Sequence, residues 1–398
     1  MLLLTCYRPV RIIHETDRSV SLEDCLSVQN AIFPESGRLV AVFGASGHTG
    51  RFVVAELLRR GFRPIPIGRD ASRLVASGFQ DRGMENRTAN IEDPASLDRA
   101  LAGAAAVINC AGPFLDTAEP LVAAALRARV HYLDVTAEQP SALAIFERFA
   151  ALSRDAKIVV APAMGFYGGL GDLLATAAMG DWASADEIRI GIALDSWRPT
   201  LGTRLTGQRN TAARLVITSG KLAPLGNPPP ISSWTFPEPF GVQDVTELPF
   251  TETVVIGSHL RVSSLHTYLN LAPLHDLRDS TTPPPEAADE TGRSAQIFLV
   301  DVIVRNGLDT RRAIVRGRDI YAFTAPLVVE AVQRILDGAA EGVGVLAPGE
   351  LFDAPSFLHA IAPEHLTFES EAGRQATNGG GVLMQLQTDH VVCKLPLE

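Results

Sequence analysis

The stretch Leu39-Val-Ala-Val-Phe-Gly-Ala-Ser-Gly-His-Thr-Gly-Arg-Phe-Val-Val-Ala-Glu-Leu-Leu-Arg-Arg-Gly61 decides the fold. Its apolar opening is typical of a buried parallel strand, and three glycines predict a turn. Phe52, Val53, Leu57 and Leu58 then follow at helical spacing. Gly61 is expected to end the helix, and residues 63–67 to form a second strand. The stretch therefore predicts the opening unit of a doubly wound α/β fold.

The three glycines have the spacing of a dinucleotide-binding turn. Gly44 allows a tight turn, Gly47 lets the backbone approach a diphosphate, and Gly50 lets the helix pack closely on the strand. The helix N-terminus would then direct free N–H groups at the phosphates. The alternative is a turn with a structural role only. The expected cofactor-binding residues of this turn are Gly44, Ala45, Ser46, Gly47, His48, Thr49 and Gly50.

The end of the second strand bears on the choice of cofactor. An NAD site needs an acid there to accept from the ribose 2′-OH, whereas Ile67 is followed by Gly68 and Arg69. The planar guanidinium of Arg69 can clamp a 2′-phosphate. We therefore predict NADP, with NADPH preferred over NADH. The alternative is that Arg69 is a solvated charge beside Asp70, which could cap a following helix.

The composition excludes several function classes. The 398 residues allow two domains, and a formal charge of −10 with three lysines leaves no basic stripe for nucleic acid. The four cysteines are scattered without metal-ligand spacing, which predicts a reducing cytoplasm and no metal site. Charged residues follow the apolar Met1–Leu4 at once, so we expect no membrane span.

Strands and helices alternate as far as residue 161, which indicates a parallel sheet. A third strand over 85–90 ends at Asn90, which we expect either to bind the adenine ring or to cap the strand end. A strand over 104–110 is followed by Ala111, Gly112 and Pro113. This loop is expected at the carboxyl edge of the sheet, where ligands bind. Further helices are expected over 121–129 and 141–153, and strands over 130–134 and 157–161.

The second half mixes strands with few helices, which indicates an α+β domain. Strands are expected over 187–194 and 251–256, a helix around 210–217 and a Pro-rich loop over 224–239. Residues 295–316 predict a long hairpin around Asn306-Gly307. Thr324 is expected to cap a helix that has Pro326 in its first turn and stops at Gly338.

These patterns predict an α/β fold, with a Rossmann-type doubly wound parallel sheet and a second α+β substrate domain. We expect an N-terminal extension of uncertain order over 1–37, an NADP-binding Rossmann domain over 38–165 and the substrate domain over 166–320. Residues 321–398 are expected to form a helix followed by a tail. The glycines over 165–171 serve either as a hinge or for close packing.

Five motifs taken together resemble a known family. They are Gly44-x-x-Gly47-x-x-Gly50, Val107-Ile-Asn-Cys-Ala-Gly-Pro-Phe114, His131-Tyr-Leu-Asp134, Gly165-Phe with Asp172-Leu, and the helix Tyr321-Ala-x-Thr-Ala-Pro-Leu-Val-x-Glu330-Ala. The set is similar to the saccharopine-dehydrogenase-like NAD(P) oxidoreductases over residues 38–365. The resemblance implies an NADP-type Rossmann domain, an α+β substrate domain and a helix over 324–336 that returns to pack near the first domain. The group includes saccharopine reductases and trans-acting enoyl reductases, so no substrate follows. Ala137-Glu138 departs from the Gly-Glu of the family, which weakens any role carried over to Glu138.

A hydride transfer needs a donor for the charge that develops next to the reacting carbon. We expect that donor at the carboxyl ends of the strands, with Asp134, Tyr132 and His131 as the catalytic candidates and Tyr167 near them. Arg209, His259 and Tyr321 are candidates for orienting the substrate. For each residue, packing or capping is the alternative. The substrate is expected between the 111–114 loop, the end of the Asp134 strand and the second domain.

Two mechanisms are excluded by the sequence. No Tyr stands four residues before a Lys, so the chain is not a short-chain dehydrogenase. No cysteine in the second domain is placed as the nucleophile of an acyl-phosphate reductase. The first hypothesis is an NADPH-dependent reductase of a small metabolite with a C=N, C=O or C=C bond. The alternative is a catalytically silent NADP(H)-binding regulator, and a homodimer is left open.

Overall fold

The computed structural model describes residues 38–374. The expectations for residues 1–37 and for the end of the tail lie outside the described residues. Strands and helices alternate in the first part of the chain. The strands are β1 Leu39–Phe43, β2 Arg63–Gly68, β3 Arg87–Thr88, β4 Ala106–Asn109, β5 His131–Asp134 and β6 Val159–Ala161. The helices are α1 His48–Arg59, α2 Ala71–Ala76, α3 Pro94–Leu101, α4 Phe114–Ala128 and α5 Gln139–Ala156.

These strands form a parallel sheet in the order β6-β5-β4-β1-β2-β3. The chain leaves β1 towards β2 and β3, then crosses back and continues outwards from β4. The direction of winding therefore switches between β1 and β4, which opens a crevice at their carboxyl ends. The predicted Rossmann-type sheet is confirmed.

A second, mixed sheet follows. Its region contains strands β7 Ala185–Leu194, β8 Leu215–Thr218, β9 Lys221–Pro224, β10 Ile231–Thr235, β11 Val242–Glu247, β12 Val262–Asn270, β13 Ile297–Asn306 and β14 Asp309–Arg318. Its helices are α6 Gly171–Met179, α7 Leu201–Arg209, α8 Glu252–His259, α9 Ala272–Arg278 and α10 Ile320–Leu336. The chain closes with β15 Gly344–Val345, α11 Pro348–Leu351, α12 Ala354–His365 and β16 Leu366–Arg374.

The second sheet has the order β10-β11-β12-β7-β13-β14-β16, and β15 adds to the first sheet beside β6. Strands β12 and β7 pair parallel, whereas every other neighbouring pair in this order is antiparallel. The hairpin β13–β14 turns through Gly307 and Leu308, directly after Asn306 and around the predicted position, with φ of 59° at Gly307. The α+β character of the second region is confirmed.

Helix α10 joins the two sheets. It contacts α1 and β5 of the first region and β14 of the second sheet. Glu330 of α10 pairs with Arg60, the residue that caps the C-terminus of α1, and both side chains are nearly buried, at 11% and 12% exposure. Arg60 also reaches Glu56, at 2.6 Å. This ion network fixes α10 against the helix that follows the glycine turn.

The start of α10 differs from the prediction. Asp319, not Thr324, caps the helix, and its carboxylate accepts from the N–H groups of Tyr321 and Ala322, both at 3.0 Å. Pro326 lies inside the helix. The Thr324 hydroxyl instead donates to the Ile320 carbonyl at 2.9 Å. The predicted cap was wrong because an aspartate one turn upstream satisfies the first N–H groups.

Three other predicted elements were wrong. Residues 251–256 belong to helix α8, because a run that is buried throughout has no period from which helix and strand can be told apart. A helix was expected around 210–217, but helix α7 ends at Arg209, and Val216 and Ile217 lie in strand β8 instead. The Pro-rich stretch 224–239 contains β10, an edge strand, where prolines are tolerated outside the ladder.

Candidate active site

The glycine turn after β1 has the close contacts that its sequence predicts. Gly44 has φ of +84°, and a Cβ there would lie 2.9 Å from the Cβ of Ala111. A Cβ on Gly50 would lie 2.3 Å from the Gly44 carbonyl oxygen. Gly47 precedes α1 in extended conformation. Only glycine fits at Gly44 and Gly50, so the turn and the close approach of α1 to β1 depend on both.

The N-terminus of α1 is open to an anion. It has no side-chain cap and no acidic residue in its first turn. Ser46, His48 and Thr49 are half-buried around it, whereas Ala45 is fully buried. The Nε2 atom of His48 is buried without a hydrogen-bond partner among the described residues. Burial lowers the pKa of His48, so the neutral ring is favoured.

Arg69 is exposed at the carboxyl end of β2. Its neighbour Asp70 caps α2, accepting from the N–H groups of Ser72 at 2.9 Å and Arg73 at 3.2 Å. Within residues 38–374 the guanidinium of Arg69 has no hydrogen bond or ion pair with a side chain. Both sequence interpretations of this pair are therefore compatible: Asp70 caps the helix, and Arg69 is left free at the sheet edge.

Asn90 follows β3 and is exposed. Its Oδ1 accepts from the Glu92 N–H at 3.3 Å, and its carbonyl accepts from the Asp93 N–H at 3.0 Å. Asn90 therefore acts as a turn former at the same edge as Arg69. A contact with an adenine ring stays a prediction.

The Ala111–Pro113 loop is held by a buried side chain that the sequence analysis missed. The Oδ1 of Asn109, at the end of β4, accepts from the Ala111 N–H at 3.0 Å. Its Nδ2 donates to Thr117 Oγ1 at 3.1 Å and to the Tyr132 hydroxyl at 3.3 Å. Thr117 in turn donates to the Ala111 carbonyl at 2.6 Å. An interior amide therefore fixes the loop that lies beside Gly44.

Tyr132 and Asp134 extend this network. The Tyr132 hydroxyl donates to Asp134 Oδ2 at 2.9 Å, and Asp134 Oδ1 accepts from the N–H groups of Thr136 at 3.0 Å and Ala163 at 2.8 Å. Both side chains are fully buried. Burial raises the pKa of Asp134 to about 6 against the lowering effect of these bonds. The carboxyl ties β5 to the segment after β6.

His131 lies at the opposite end of β5. Its Nδ1 accepts from the Val159 N–H at 3.0 Å, at the start of β6. Burial lowers the pKa of His131. The structure therefore does not bring His131 together with Asp134 at the carboxyl edge. A catalytic role for His131, Tyr132 or Asp134 stays a prediction, and the geometry gives all three a positioning role.

Glu138 has a clear structural task. Its carboxylate accepts from the N–H groups of Phe114 at 2.7 Å and Leu115 at 3.1 Å, at the N-terminus of α4. Its side chain is fully buried, and burial raises its pKa. Glu138 caps the helix directly after Pro113, so it positions the same loop as Asn109.

The second region places Tyr321 over this edge. The Tyr321 hydroxyl accepts from Trp197 Nε1 at 3.0 Å and from the Thr200 N–H at 3.4 Å, and it bonds Thr203 Oγ1 at 2.9 Å. Its ring meets the edge of His48 with centroids 5.4 Å apart. Of the three substrate-orienting candidates, Tyr321 is the one brought to the glycine turn.

Helix α7 covers the loop from the other side. A Cβ on Gly112 would lie 2.7 Å from Thr206 Oγ1, so this helix touches the loop directly. Arg209, at its end, pairs with Asp116 at 3.0 Å, and both side chains are substantially exposed. We use the word cleft for the space bounded by His48, Gly112, Tyr321 and α7.

His259 lies elsewhere. Its Nε2 is 2.7 Å from Asp172 Oδ1, and Asp172 Oδ2 accepts from the Gly349 N–H at 2.7 Å. The neighbouring carboxylate raises the pKa of His259 against the opposing effect of burial. This pair joins α6, α8 and α11, and the hydrogen bonds of His259 do not connect it to the cleft.

The glycines between the two regions are closely packed. A Cβ on Gly168, where φ is +130°, would lie 2.7 Å from the Ala163 carbonyl oxygen. A Cβ on Gly169 would lie 3.1 Å from the same atom. Close packing therefore explains these glycines, and a hinge is not needed to account for them.

A cavity of 280 Å³ opens beside Tyr321. Its lining residues are Asp195, Ser196, Arg198, Pro285, Glu286, Ala287, Ala288, Ser294, Ala295, Gln296 and Tyr321. Arg198 and Glu286 pair across it at 3.1 Å. The segment 285–288 therefore contributes one wall of this cavity.

Several predicted absences concern the described residues alone. Residues 38–374 contain no group of three or more metal-ligating side chains, and no helix among them is long and apolar enough to cross a membrane. Cys110 is a free thiol, and burial raises its pKa, so it is a poor nucleophile.

Comparisons with known proteins agree with this architecture. Residues 40–161 match the saccharopine dehydrogenase NADP binding domain. A "probable mitochondrial saccharopine dehydrogenase-like oxidoreductase" of Arabidopsis thaliana is 31% identical, with 26% of each chain covered. A "saccharopine dehydrogenase-like oxidoreductase" of Bos taurus is 30% identical, over 25% of this chain and 27% of that one. The match spans about a quarter of the length of these relatives.

A solved structure covers more of the chain. Apo saccharopine dehydrogenase (L-Glu forming) of Saccharomyces cerevisiae matches 84% of this chain and 100% of its own, with a TM-score of 0.59 and 12% identity. That likeness shows a shared fold across both sheets. Residues 40–161 are therefore similar to the saccharopine dehydrogenase NADP binding domain, and the chain shares its fold with the yeast saccharopine dehydrogenase.

Proposed function

We propose that the protein is an NADPH-dependent oxidoreductase that reduces a C=N, C=O or C=C bond of a small metabolite. The observation that carries the proposal is the uncapped α1 N-terminus beside Gly44 and Gly50, with Tyr321 of the second region in contact with His48. The first feature fits a dinucleotide diphosphate. The second brings Tyr321 to the same helix end, and α7 connects it to the Ala111–Pro113 loop through Thr203, which bonds the Tyr321 hydroxyl, and Thr206, which touches Gly112.

The residues of the turn fit the cofactor. The N–H groups at Gly47 and the start of α1 would hold the diphosphate, and Arg69 would bind the 2′-phosphate that distinguishes NADPH from NADH. The Ala111–Pro113 loop, fixed by Asn109 and Glu138, would line the nicotinamide end. When bound, the cofactor supplies the hydride.

We assign to the hydroxyl of Tyr321 the donation of the proton that the substrate receives. Its hydroxyl accepts from Trp197 Nε1 and the Thr200 N–H, and these two donors would stabilise the phenolate formed when the proton leaves. Burial raises the pKa of Tyr321, so the hydroxyl stays protonated at neutral pH. Asp134 and Tyr132 act behind the loop by holding β4, β5 and the segment after β6 in place.

Turnover tests the proposal. The full chain is incubated with NADPH and with imines, ketones and enoyl thioesters, and loss of NADPH absorbance is followed. We expect oxidation with at least one class, and Tyr321→Phe should lower kcat by about 10²- to 10⁴-fold without weakening NADPH binding. Tyr268→Phe, on the second sheet away from the cleft, is the matched control. An unchanged kcat in Tyr321→Phe would contradict the assignment of the proton.

The silent regulator remains the second candidate, because the unpartnered His48 and the free Arg69 would serve binding as well as catalysis. Titration with NADPH and NADP⁺ separates the two functions in part. No turnover on any class, together with strong discrimination between the two forms, would favour the regulator.

Two further points are also proposals: the cytoplasmic location, which cell fractionation checks, and the domain limits 38–165, 166–320 and 321–398. The Arabidopsis relative is the one whose name includes mitochondrial.

A further inference from the structure

Strand β10 ends the second sheet and is paired on one side only. It pairs antiparallel with β11, and in the part of the chain that the structure describes no strand pairs with its other side. We call this other side the outer side of β10. The strand, Ile231-Ser-Ser-Trp-Thr235, lies between Pro230 and Pro237. A row of backbone N–H and C=O groups at the end of a sheet is a template for a further strand.

The hydrogen bonds at both ends of β10 show which backbone groups face outwards. The Phe236 N–H donates to the Gly241 carbonyl at 2.9 Å, and the Glu247 N–H donates to the Pro230 carbonyl at 3.3 Å. Residues of an antiparallel strand direct their backbone groups to the two sides in alternation, so the even-numbered residues bond to β11. The residues whose N–H and C=O groups face the outer side are therefore Ile231, Ser233 and Thr235.

The side chains of β10 do not protect this outer side. Native proteins usually block the last strand of a sheet with charged residues, especially lysine. The strand at the opposite end of the same sheet, β16, contains Glu369, Glu371 and Arg374. Strand β9, which ends the short β8–β9 branch, contains Lys221. Strand β10 contains no charged residue, so its side chains do not oppose pairing with another strand.

Two large apolar side chains are exposed beside the outer side. Ile231 is 67% exposed, and Val242, which lies opposite Thr235 on β11, is 69% exposed. These are the two highest values among the large hydrophobic residues that the structure describes. Ile231 and Thr235 share one face of the sheet because they are an even number of residues apart, and Val242 shares that face with Thr235. A further strand at the outer side would cover part of this apolar surface.

A second copy of β10 is complementary to the outer side when it runs antiparallel, with the two-fold axis at Ser233. Ser233 is then opposite Ser233 of the second copy, and Ile231 is opposite Thr235 of the second copy. The backbone groups of all these residues face outwards, so each pair can exchange both N–H···O=C bonds. The same register brings Ile231 of one copy into line with Thr235 and Val242 of the other. The outer side is therefore complementary to itself, as a two-fold interface requires.

The nearest charge permits this arrangement. Asp244 lies opposite Ser233 on β11, so it is the charged residue closest to the two-fold axis in this register. The two copies of Asp244 would be three strand spacings apart, or about 14 Å. This distance exceeds the screening length of about 8 Å at physiological ionic strength, so their repulsion is small.

We propose that β10 is a dimerisation strand, which pairs antiparallel with β10 of a second copy and joins the two second sheets into one continuous sheet. The pairing uses the outer side of both copies, so assembly stops at two chains. Strands of 5 residues bury less surface than a standard interface, so the dimer is weak and forms with rising protein concentration. The inference goes beyond the proposed function and does not depend on it.

Sedimentation velocity of the full chain, up to about 1 mM protein, tests the proposal. We expect an equilibrium between monomer and dimer. Ser233→Lys places two like charges opposite each other at the axis and should weaken dimerisation by at least about tenfold. Ser370→Lys, the same change at an exposed serine of β16, is the matched control and should leave dimerisation unchanged. A chain that is monomeric at every concentration, or a dimer that Ser233→Lys does not weaken, would overturn the proposal.

Ser233→Pro tests the backbone pairing itself. The Ser233 N–H faces outwards, so proline removes a donor from the dimer and leaves the ladder between β10 and β11 in place. We expect this variant to be monomeric where the wild type dimerises, and a folded variant that dimerises like the wild type would contradict the proposal.

Hydrogen exchange of the wild type decides the question if the proline variant does not fold. The peptide that contains β10 should gain protection as the protein concentration rises. Protection that is already complete where the chain is monomeric would mean that another segment of the same chain covers the outer side, and this result would also overturn the proposal.

Discussion

The carboxyl edge of the first sheet, with Asn109, Asp134 and Glu138, and the part of the second region that lies over it, with Tyr167 and α7, are built differently. We call them the edge and the cover. At the edge, Asn109, Asp134 and Glu138 are fully buried, and their polar groups are hydrogen-bonded to backbone N–H groups or neighbouring side chains. In the cover, the Tyr167 hydroxyl lacks a described partner and α7 has no buried residue. The edge is preorganised without a ligand, whereas the cover has polar and apolar groups that a ligand would satisfy. Cofactor binding should therefore depend on the edge, and substrate choice on the cover.

The largest effect is expected from Gly50→Ala. The new Cβ would lie 2.3 Å from the Gly44 carbonyl oxygen, so α1 or the turn must move. Such overpacking costs about 1 to 3 kcal/mol, and the displaced turn should abolish measurable NADPH binding. Fluorescence titration with NADPH and thermal unfolding are the measurements.

Gly207→Ala is the matched control for this change. Gly207 lies in α7 with no atom within 4 Å of an added Cβ. Alanine should stabilise this helix by about 0.5 to 1 kcal/mol and leave NADPH binding unchanged. Equal NADPH affinity in the two glycine variants would remove the distinction between edge and cover.

The second effect concerns the buried Asp134. Burial raises its pKa to about 6, from the 3.8 of an exposed aspartate. Between these values the folded chain binds the proton more strongly than the unfolded chain, so this group makes stability fall as pH rises. Asp134→Asn keeps an Oδ1 acceptor for Thr136 and Ala163 but does not titrate.

The stability of Asp134→Asn relative to wild type should therefore rise by up to about 3 kcal/mol from pH 4 to pH 7. Urea unfolding at several pH values measures the difference. If the stability of Asp134→Asn relative to wild type does not change with pH, or falls as pH rises, the carboxyl is ionised in the folded chain without cost.

The third effect concerns the free guanidinium at the end of β2. Arg69→Ala should remove a charge-assisted contact worth about 1.5 to 3 kcal/mol, or roughly ten- to a hundredfold in NADPH affinity. NADH affinity should not change. Arg63→Ala, at the amino end of the same strand, is the matched control. If NADPH affinity barely falls and NADH already binds equally well, the assignment of Arg69 is wrong.

The edge could be predicted from sequence far better than the cover. The β1–glycine–α1 unit carries its own signal, because the glycines are needed locally and the apolar period follows at once. Asn109 could not be predicted, since its partners at Ala111, Thr117 and Tyr132 meet only in the folded chain. Tyr321 and Trp197 are 124 residues apart in sequence, so their hydrogen bond has no local signature.

The errors in the cover have the same origin. Residues 251–256 were predicted to form a strand, but every residue of this run is buried, so no period separates a helix from a strand. Thr324 was predicted to cap α10 because a threonine shortly before a proline is typical of a helix start, whereas the N-cap is Asp319. Local patterns predict elements that face water on one side, and they fail where tertiary burial dominates.

A structure of the chain with NADPH bound is the decisive experiment. We expect the diphosphate at the N-terminus of α1, the 2′-phosphate against Arg69, and the nicotinamide ring in the cleft between the Ala111–Pro113 loop and Tyr321. A nicotinamide ring that points away from Tyr321, or a 2′-phosphate that lies in solvent away from Arg69, would contradict this expectation.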